Sequence, residues 1–525
     1  MIRKILLGLT VVLLGITIVY ISVRSFRMKK GMPDNVVIHP VATADFNGVD
    51  SILLKASDSY MAGAYRRFIF GKNYREAWDA PVKIPVLWLD TLHGGSKPIK
   101  AGGGGQTRSL ILEDIHGHKF ALRSVCKDAV HSMPSFGKML GLKNMVIDGI
   151  SAGHPYAAVA VAKLCETAGI LHNQPKLVYV PEQAVLDSFE QDFANRLYTL
   201  EYEQNGLNGD WTRLPNVVTT MESEMVQANL IENPLHHIDQ YALLYARLFD
   251  VIINDWDRHP GNWGWAAQKE ADGIKYTPFP VDRDMAFYSE NGVAPWIFNR
   301  NGAMGKFRRH FRSKDYLKAA LHKSRFIDPC YLNEMTRSDF LKAANMLQQK
   351  MTDNELRKAF EVWPDTVYRL NAPAIINKIK IRRNKLPEYA EAFYEHLAEA
   401  PQIMGTNGVD SFSVHQENEQ QMMVEMFSKD ESGNYFKKYK RSFSKSETKE
   451  INVFALDGDD LLFVENKISI PIIFQAGKGM DKLEISKEAK NAKKMIRLTD
   501  DADGIIAPKN IKTKKKGIEL MIPRA

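Results

Sequence analysis

The segment NDWDRHPGN, residues 254–262, concentrates polar side chains directly after the apolar run YALLYARLFDVII. Within it, Asp257 and Asn262 are separated by four residues. Phosphoryl transfer needs a carboxylate that orients or deprotonates the attacking hydroxyl, and oxygen ligands for a Mg²⁺ ion that bridges the phosphates. A further carboxylate follows in VDRD, where Asp282 is the first candidate and Asp284 its competitor. The set predicts phosphotransfer chemistry; the alternative is a hydrogen-bonded turn capped by Asp and Asn.

The elements upstream of this segment suit the same chemistry. The stretch KPIKAGGGGQTRSLILEDIHGHKFALRSV predicts a strand, a glycine-rich loop and two strands joined at DIHGH. A helix over residues 154–170 and two further strands complete a small predicted sheet region. The region from there to about residue 400 is predicted to be mainly helical. Within it, WGWAAQKEADGIKYTPFPVD predicts a hairpin with its turn near ADG, and Thr352 is the predicted N-cap of a helix over TDNELRKAFEVW. The loop glycines expected to approach nucleotide phosphates are Gly102, Gly103, Gly104 and Gly105.

Short motifs carry a resemblance to atypical kinases. D-R-H-x-x-N, residues 257–262, resembles the motif of phosphatidylinositol kinases, and VDRDMAF is similar to the metal motif of type II phosphatidylinositol 4-kinases and Fam20-type secretory-pathway kinases. The order of elements over residues 95–300 also resembles HipA-type kinases. ALRSVCKD, ARLFD and DRDMAF further resemble uncharacterised bacterial envelope proteins over residues 50–485. Some of those proteins carry a calcineurin-like phosphoesterase domain, which is not found in this sequence.

The resemblance implies a role for each matching position of the loop. Asp257 corresponds to the catalytic-loop aspartate, and Asn262 to the metal-binding asparagine. His259 falls where other kinases place a phosphate-contacting cation. Asp282 corresponds to the metal-binding aspartate that opens the activation segment, with Asp284 as the alternative. ATP and Mg²⁺ are the implied nucleotide and metal.

The nucleotide-anchoring cation departs from the kinase pattern. Arg123 stands where a lysine is expected, and Lys127 is the alternative cation. Arginine can pair bidentately with phosphate but is not equivalent to lysine. The glycine-rich loop lacks the G-x-G-x-x-G spacing, and Glu166, near the end of the predicted helix, is the only acidic residue there that could orient the cation. Divergent active kinases and pseudokinases both show such departures.

The N-terminus predicts a membrane anchor. Residues 5–23 form an uncharged run that would nearly cross a hydrocarbon core as a helix. No small-residue cleavage motif follows it, so an uncleaved anchor is preferred to a cleaved signal peptide. The position of the run at the extreme terminus disfavours the other alternative, a buried core helix. Basic residues flank both sides and leave the orientation open. The expected location is the bacterial cell envelope, with the soluble part on the periplasmic side.

The C-terminal part has a different pattern, in which short apolar strands alternate with Gly/Asp turns. GKGMDKL, residues 477–483, and GDDLL, residues 458–462, fit parts of the calcium-binding turn of nonapeptide repeats. Asp460 and Asp481 are therefore the candidate calcium ligands. Simple β-turns without metal are the alternative.

Composition and these patterns define the predicted organisation. The chain has 525 residues, 45% hydrophobic content, a net charge of +8 and three cysteines without metal-site spacing. The fold class is α+β, with a bilobal protein-kinase-like core. The predicted parts are a transmembrane anchor at 1–30, a linker and extension at 31–94, an N-lobe at 95–205, a helical C-lobe at 206–404, and a small all-β domain with a basic tail at 405–525.

Two classes of function follow from this organisation. The first is a membrane-anchored, ATP- and Mg²⁺-dependent kinase-like phosphotransferase whose acceptor is a protein, lipid or sugar. The second is a non-catalytic protein, either a pseudokinase or an envelope scaffold and surface-interaction protein. The basic C-terminal tail shows neither a nucleic-acid motif nor interleaved aromatic residues, so no nucleic-acid partner is expected.

Overall fold

The computed structural model describes residues 2–25, 36–39, 46, 48–102, 107–127, 143–207, 209–298, 317, 321–430, 432–499 and 504–514. Within these ranges helices and strands are mixed along the chain, and the strands form five sheets. The content is therefore of the mixed α and β type that the sequence predicts.

The N-terminal region packs one long helix against short elements. Its elements are α1 (Ile2–Ser25), β1 (Val36–His39), β2 (Ser51–Lys55), α2 (Ala64–Phe70), α3 (Arg75–Asp79) and β3 (Val82–Pro85). Val19 of α1 is buried with Ile69 and Phe70 of α2, and the hydroxyls of Ser22 and Tyr65 are hydrogen-bonded at 2.6 Å. In the part of the chain that the structure describes, no helix has both the length and the apolar character required to cross a membrane. The predicted transmembrane anchor at residues 5–23 is thus unsupported.

A five-stranded antiparallel sheet forms the next layer. Its strands and the neighbouring helices are β4 (Ser96–Gly102), β5 (Ser109–Asp114), β6 (Lys119–Ser124), α4 (Lys143–Gly149), α5 (Ala157–Ala168), β7 (Lys176–Val180), α6 (Glu190–Phe193) and β8 (Arg196–Tyr202). The strand order is β4-β5-β6-β8-β7. One face buries Leu110, Leu112, Phe120 and Leu122 against Leu186. The predicted strand and the two strands joined at DIHGH are confirmed, and the structure adds that β4 pairs antiparallel with β5.

Helices dominate the following region, around a four-stranded sheet of order β10-β12-β11-β9. The elements are β9 (Val217–Glu222), α7 (Ser223–Glu232), β10 (His237–Ile238), α8 (Gln240–Ile253), β11 (Trp263–Lys269), β12 (Ile274–Pro280), α9 (Val293–Phe298), α10 (Asp328–Tyr331), α11 (Arg337–Lys350), α12 (Asp353–Phe360), α13 (Asp365–Asn384) and α14 (Leu386–Ala398). The predicted cap of α12 is confirmed, since the Thr352 side chain accepts a hydrogen bond from the backbone N–H of Glu355. Asp239 caps α8 in the same way.

Most of the C-terminal region is a β-solenoid, a stack of coils in which the strands of neighbouring coils pair in parallel. Its elements are β13 (Gln402–Met404), β14 (Asp410–Gln416), β15 (Gln421–Lys429), β16 (Tyr435–Ser444), β17 (Ile451–Phe454), β18 (Leu461–Val464), β19 (Ile472–Gln475), β20 (Asp481–Ile485), α15 (Ala492–Met495), β21 (Ile496–Thr499), β22 (Ile505–Ile506) and β23 (Lys512–Lys514). The two sheets have the orders β13-β17-β19-β21-β23 and β16-β15-β14-β18-β20-β22. Ile451 pairs with Ile472, and Ile472 pairs with Ile496, so equivalent apolar residues stack between the sheets.

The solenoid is attached to the helical region by polar contacts. The Asn333 side chain donates a hydrogen bond to the carbonyl of Gln402 at 2.8 Å, and the Tyr439 hydroxyl donates to the carbonyl of Asn333 at 3.1 Å. The Tyr394 hydroxyl of α14 donates to Glu447 at 2.6 Å. The two regions therefore share a specific interface.

Candidate functional site

A cavity of about 570 Å³ lies between the five-stranded sheet and the helical region. The lining combines side chains of β5, β6 and β8 with those of the loop that follows α8 and the loop that follows β12. The predicted polar residues that line it are Arg123, Lys127, Asp257, His259, Asn262, Asp282 and Asp284. Residues separated by more than a hundred positions in the chain thus converge on one space.

The end of α8 sets the direction of the loop. Asn254 follows the last helical residue in the left-handed conformation, with φ of 59°, a conformation that asparagine tolerates better than most residues. Its side chain donates a hydrogen bond to the carbonyl of Tyr288 at 2.9 Å. Farther along the loop, the Asn262 side-chain amide donates to the backbone carbonyl of Asp257 at 2.7 Å. This bond closes the loop on itself and leaves the Asn262 Oδ1 as the remaining side-chain acceptor.

Arg258 anchors the loop to the protein interior. Its side chain is fully buried and donates to the backbone carbonyls of Val281, at 2.8 Å, and of Asn262. The guanidinium lies 3.4 Å from Asp255 Oδ2 and stacks over the Trp263 ring, 5.0 Å from its centroid. The loop bearing Asp257 is therefore fastened to the end of β12, which precedes Asp282.

A buried charge network continues beneath Arg258. Arg247 pairs with Asp328 at 2.9 Å and with Asp250 at 2.6 Å. Arg283 pairs with Asp255 at 2.9 Å and also with Asp250. With Arg258, three guanidinium groups thus meet three carboxylates, as buried charges require. The polar residues that follow α8 therefore form two groups. Asp255 and Arg258 belong to this buried network, whereas Asp257 and Asn262 line the cavity.

Asp282 and Asp284 lie directly after β12 and line the cavity. Asp282 has a φ of 53°, a conformation that costs energy for a residue other than glycine and that clusters at functional sites. The Lys127 ammonium forms an ion pair with Asp284. Burial acts to raise the pKa of Asp282, but Arg123 and Lys127 hold it below its ordinary value. Burial raises the pKa of Asp284 to about 8, reinforced by the charge of Asp282 and opposed by Lys127. Asp282 is therefore the more acidic of the two carboxylates.

The carboxylate that orients Arg123 comes from a strand and was missed by the sequence analysis. Arg123 Nε donates to Glu201 on β8, and Asn173 donates to the other Glu201 oxygen at 2.8 Å. Glu166, the residue considered from the sequence, instead pairs on the surface with Lys163 at 2.9 Å. An available signal was the acidic residue inside the apolar strand run RLYTLEYE, because buried acids are rarely left unpaired.

His259 and Asp257 lie side by side at the cavity wall. Burial lowers the pKa of the His259 imidazole below its ordinary value of 6.5, although Asp257 opposes this. In the absence of a bound anion the neutral ring is therefore favoured, and the role of His259 as a phosphate-contacting cation stays a prediction. A cation does lie beside Asp257: the Lys323 Nζ is 3.5 Å from Asp257 Oδ1. Lys323 was not identified from the sequence because it lies far along the chain.

The glycine-rich loop is described only at its start. Gly102 is the last residue of β4 and pairs with Ser109 at the beginning of β5. A Cβ on Gly102 would lie 2.8 Å from the Ser109 hydroxyl, so a larger residue would displace that side chain. Gly103, Gly104 and Gly105 lie outside the described residues. Gly102 is thus paired with a residue, Ser109, that lines the cavity.

The metal-binding potential of the cavity rests on a small oxygen set. Among the described residues, no group of three His, Cys, Asp or Glu side chains is arranged to hold a metal. Asn262, Asp282 and Asp284 instead offer one amide and two carboxylates at the same cavity. Mg²⁺ is usually bound through one or two carboxylates and completes its shell with phosphate and water oxygens. The donor set therefore fits a nucleotide-bound Mg²⁺ better than a metal held by protein alone.

The two candidate calcium ligands have a structural role. The Asp460 carboxylate accepts the backbone N–H of Asp410 at 2.7 Å, and the Asp481 carboxylate accepts the backbone N–H of Asp460 at 3.0 Å. Each aspartate thereby joins its coil to the preceding coil. Burial raises the pKa of Asp460 to about 9, whereas a calcium ligand must be ionised. The prediction of calcium at these residues is therefore unsupported.

Comparisons with known proteins give only distant matches. No family description matches the chain, and no curated protein matches it. The Helicobacter pylori proinflammatory kinase CtkA covers 55% of this chain and 95% of its own at 10% identity, with a TM-score of 0.30. HipA of Shewanella oneidensis, in a complex with HipB and operator DNA, covers 60% and 77% at 11% identity, with a TM-score of 0.30. The Chaetomium thermophilum Rio2 kinase complex with ADP and Mg²⁺ covers 51% and 72% at 15% identity, with a TM-score of 0.20. TM-scores this low do not establish a function for this chain.

Proposed function

We propose that the cavity binds ATP with Mg²⁺ and that the chain is a kinase-like phosphotransferase. The observation that carries this proposal is the convergence of two groups of opposite charge on one cavity. Arg123 and Lys127 come from the sheet side, while Asp257 and Asp282 come from the helical side. Cations suit phosphate oxygens, and the carboxylates suit a hydroxyl proton and a metal ion.

The topology supports the same assignment. In protein kinases a glycine-rich loop covers the phosphates, and the anchoring cation lies on the third strand of the N-lobe sheet. Here the glycine-rich stretch joins β4 to β5, and Arg123 lies on β6, the third strand of this sheet. The loop with Asp257 and Asn262 follows α8, and Asp282 follows the β11–β12 hairpin. The order of these parts is that of the kinase catalytic loop and activation segment.

The chemistry follows from these positions. A hydroxyl of the acceptor donates its proton to the Asp257 carboxylate as its oxygen forms a bond to the γ-phosphorus. The bond from that phosphorus to the β–γ bridging oxygen breaks, and ADP leaves with the electron pair. Arg123, oriented by Glu201, and Lys127 hold the phosphates and balance their charge.

The residues that would hold Mg²⁺ are Asn262 and Asp282. Asp282 is the better carboxylate because Asp284 is engaged by Lys127 and its pKa is raised. When bound, Mg²⁺ supplies charge neutralisation at the β- and γ-phosphates.

Calorimetry of the full-length chain tests nucleotide binding. We expect ATP binding that needs Mg²⁺, is lost in Asp282→Ala and is retained in Asp272→Ala, an exposed aspartate at the turn of the β11–β12 hairpin. Folded wild-type protein that binds neither ATP nor ADP at millimolar concentration would contradict the proposal. Binding without turnover would favour the pseudokinase alternative. The acceptor class, the membrane partner and the envelope location stay predictions.

A further inference from the structure

A lysine from a distant part of the chain lies next to the proposed base. Lys323 belongs to a short 3-10 turn, His322–Ser324. Its Nζ is 3.5 Å from Asp257 Oδ1, and the two side chains are 33% and 26% exposed. In the described residues Asp257 Oδ1 is buried and accepts no hydrogen bond. The ammonium is therefore held beside the carboxylate by charge attraction, and its N–H groups donate no hydrogen bond to any other residue that the structure describes.

The Lys323 ammonium lies close to the place where the γ-phosphate must be during transfer. A reacting hydroxyl oxygen must lie within hydrogen-bond reach of the Asp257 carboxylate. The γ-phosphorus must lie about 3–3.5 Å from that oxygen in a reactive arrangement. A cation adjacent to the same carboxylate is then within reach of the γ-phosphate oxygens, where the transferring charge is spread.

We propose that Lys323 contacts the γ-phosphate of bound ATP and is a catalytic residue of the phosphotransfer. The inference rests on the proposed function, because it presupposes ATP in the cavity. Lys323 lies 66 positions after Asp257 in the chain. It would place a positive charge beside the proposed base. The competing role, in which Lys323 only holds the Asp257 side chain in place, predicts no discrimination between nucleotides.

The difference between ATP and ADP isolates the γ-phosphate contact. We would measure the affinities of the full-length wild type, Lys323→Gln and Lys323→Arg for Mg²⁺–ATP and Mg²⁺–ADP by calorimetry. Lys358→Gln is the matched control, since Lys358 also pairs with a carboxylate, Glu355, at 2.9 Å on the same lobe. A lost charge-assisted hydrogen bond should weaken ATP binding by about tenfold or more. ADP binding should change less than about twofold, and Lys323→Arg should recover most of the ATP affinity.

Each outcome is decisive. An unchanged ratio of ATP to ADP affinity in Lys323→Gln would overturn the inference, whether both affinities fall or neither does. Equal loss of ATP affinity in Lys358→Gln would also overturn it, because the effect would then be general electrostatics. Wild-type protein that binds neither nucleotide would instead refute the proposed function.

Discussion

Removal of Arg258 should damage the site and the stability of the protein together. In Arg258→Met the carbonyls of Asn262 and Val281 lose their guanidinium donor, and Asp255 loses one of its two cations. Breaking a buried ion pair from one side costs about 3–5 kcal/mol. A buried group left without its hydrogen bond costs about 1–3 kcal/mol and is part of the same loss. Because domains are typically stable by 5–15 kcal/mol, the variant should still fold.

Arg247→Met is the matched variant. Arg247 is equally buried, and it pairs with Asp250 and Asp328 rather than with the loop. We expect a similar loss of about 3–5 kcal/mol. Only Arg258→Met should release the loop, so its Mg²⁺–ATP affinity should fall at least about tenfold further than that of Arg247→Met.

Denaturation in urea, followed by tryptophan fluorescence, measures the stability term. The last tryptophan in the chain is Trp363, so the signal reports the lobes around the cavity and not the solenoid. Calorimetry gives the affinities. The reasoning is refuted if Arg258→Met unfolds at the wild-type urea concentration, or if the two variants bind Mg²⁺–ATP equally well.

Three further outcomes follow from the geometry. Asp282→Asn should abolish Mg²⁺-dependent ATP binding while Asp284→Asn only weakens it; the reverse ranking in calorimetry would reassign the metal ligand. The stability that Asp460 gains from its raised pKa is present below pH about 4 and lost as the pH rises to about 9. In Asp460→Asn the decline in solenoid stability between pH 5 and 9 should therefore be less steep, by up to about 1.4 kcal/mol per pH unit. Thermal unfolding measures this, and equal slopes of stability against pH in the variant and the wild type would contradict it. Gly479→Ala should destabilise the solenoid, because Gly479 has a φ of 130° and the Cβ of an alanine there would overlap the Gly458 carbonyl oxygen. An unchanged melting temperature, measured by circular dichroism, would contradict this prediction.

The sequence was informative wherever one segment carried the signal. The hairpins of the sheet, the Thr352 cap and the β11–β12 hairpin each depend on local turn or capping chemistry, which a short stretch contains. The loop residues Asp257 and Asn262 were predictable for the same reason, because one turn sets their spacing.

Features that need two distant segments were not predictable. Glu201 meets Arg123 only because β8 lies beside β6 in the sheet order, and Lys323 meets Asp257 only through tertiary packing. The charge state of His259 depends on burial, which the sequence does not specify.

The solenoid shows how a local motif can mislead. The Gly-x-Asp turns at residues 458–460 and 479–481 resemble metal-binding turns. In the stacked coils the same aspartates accept backbone N–H groups of the neighbouring coil. The period of the apolar strands was the missed signal, since stacking requires equivalent residues at matching positions.

The most direct test of the central claim is turnover of γ-labelled ATP by the full-length chain, compared between wild type and Asp257→Asn. Released or self-transferred phosphate can be measured without knowledge of the acceptor. We predict slow Mg²⁺-dependent turnover by the wild type, and its loss in Asp257→Asn at unchanged ATP affinity, because the substitution removes the proton acceptor but preserves the side-chain shape. Equal turnover by the two proteins, or no turnover by ATP-bound wild type, would contradict the assignment of this cavity to phosphotransfer.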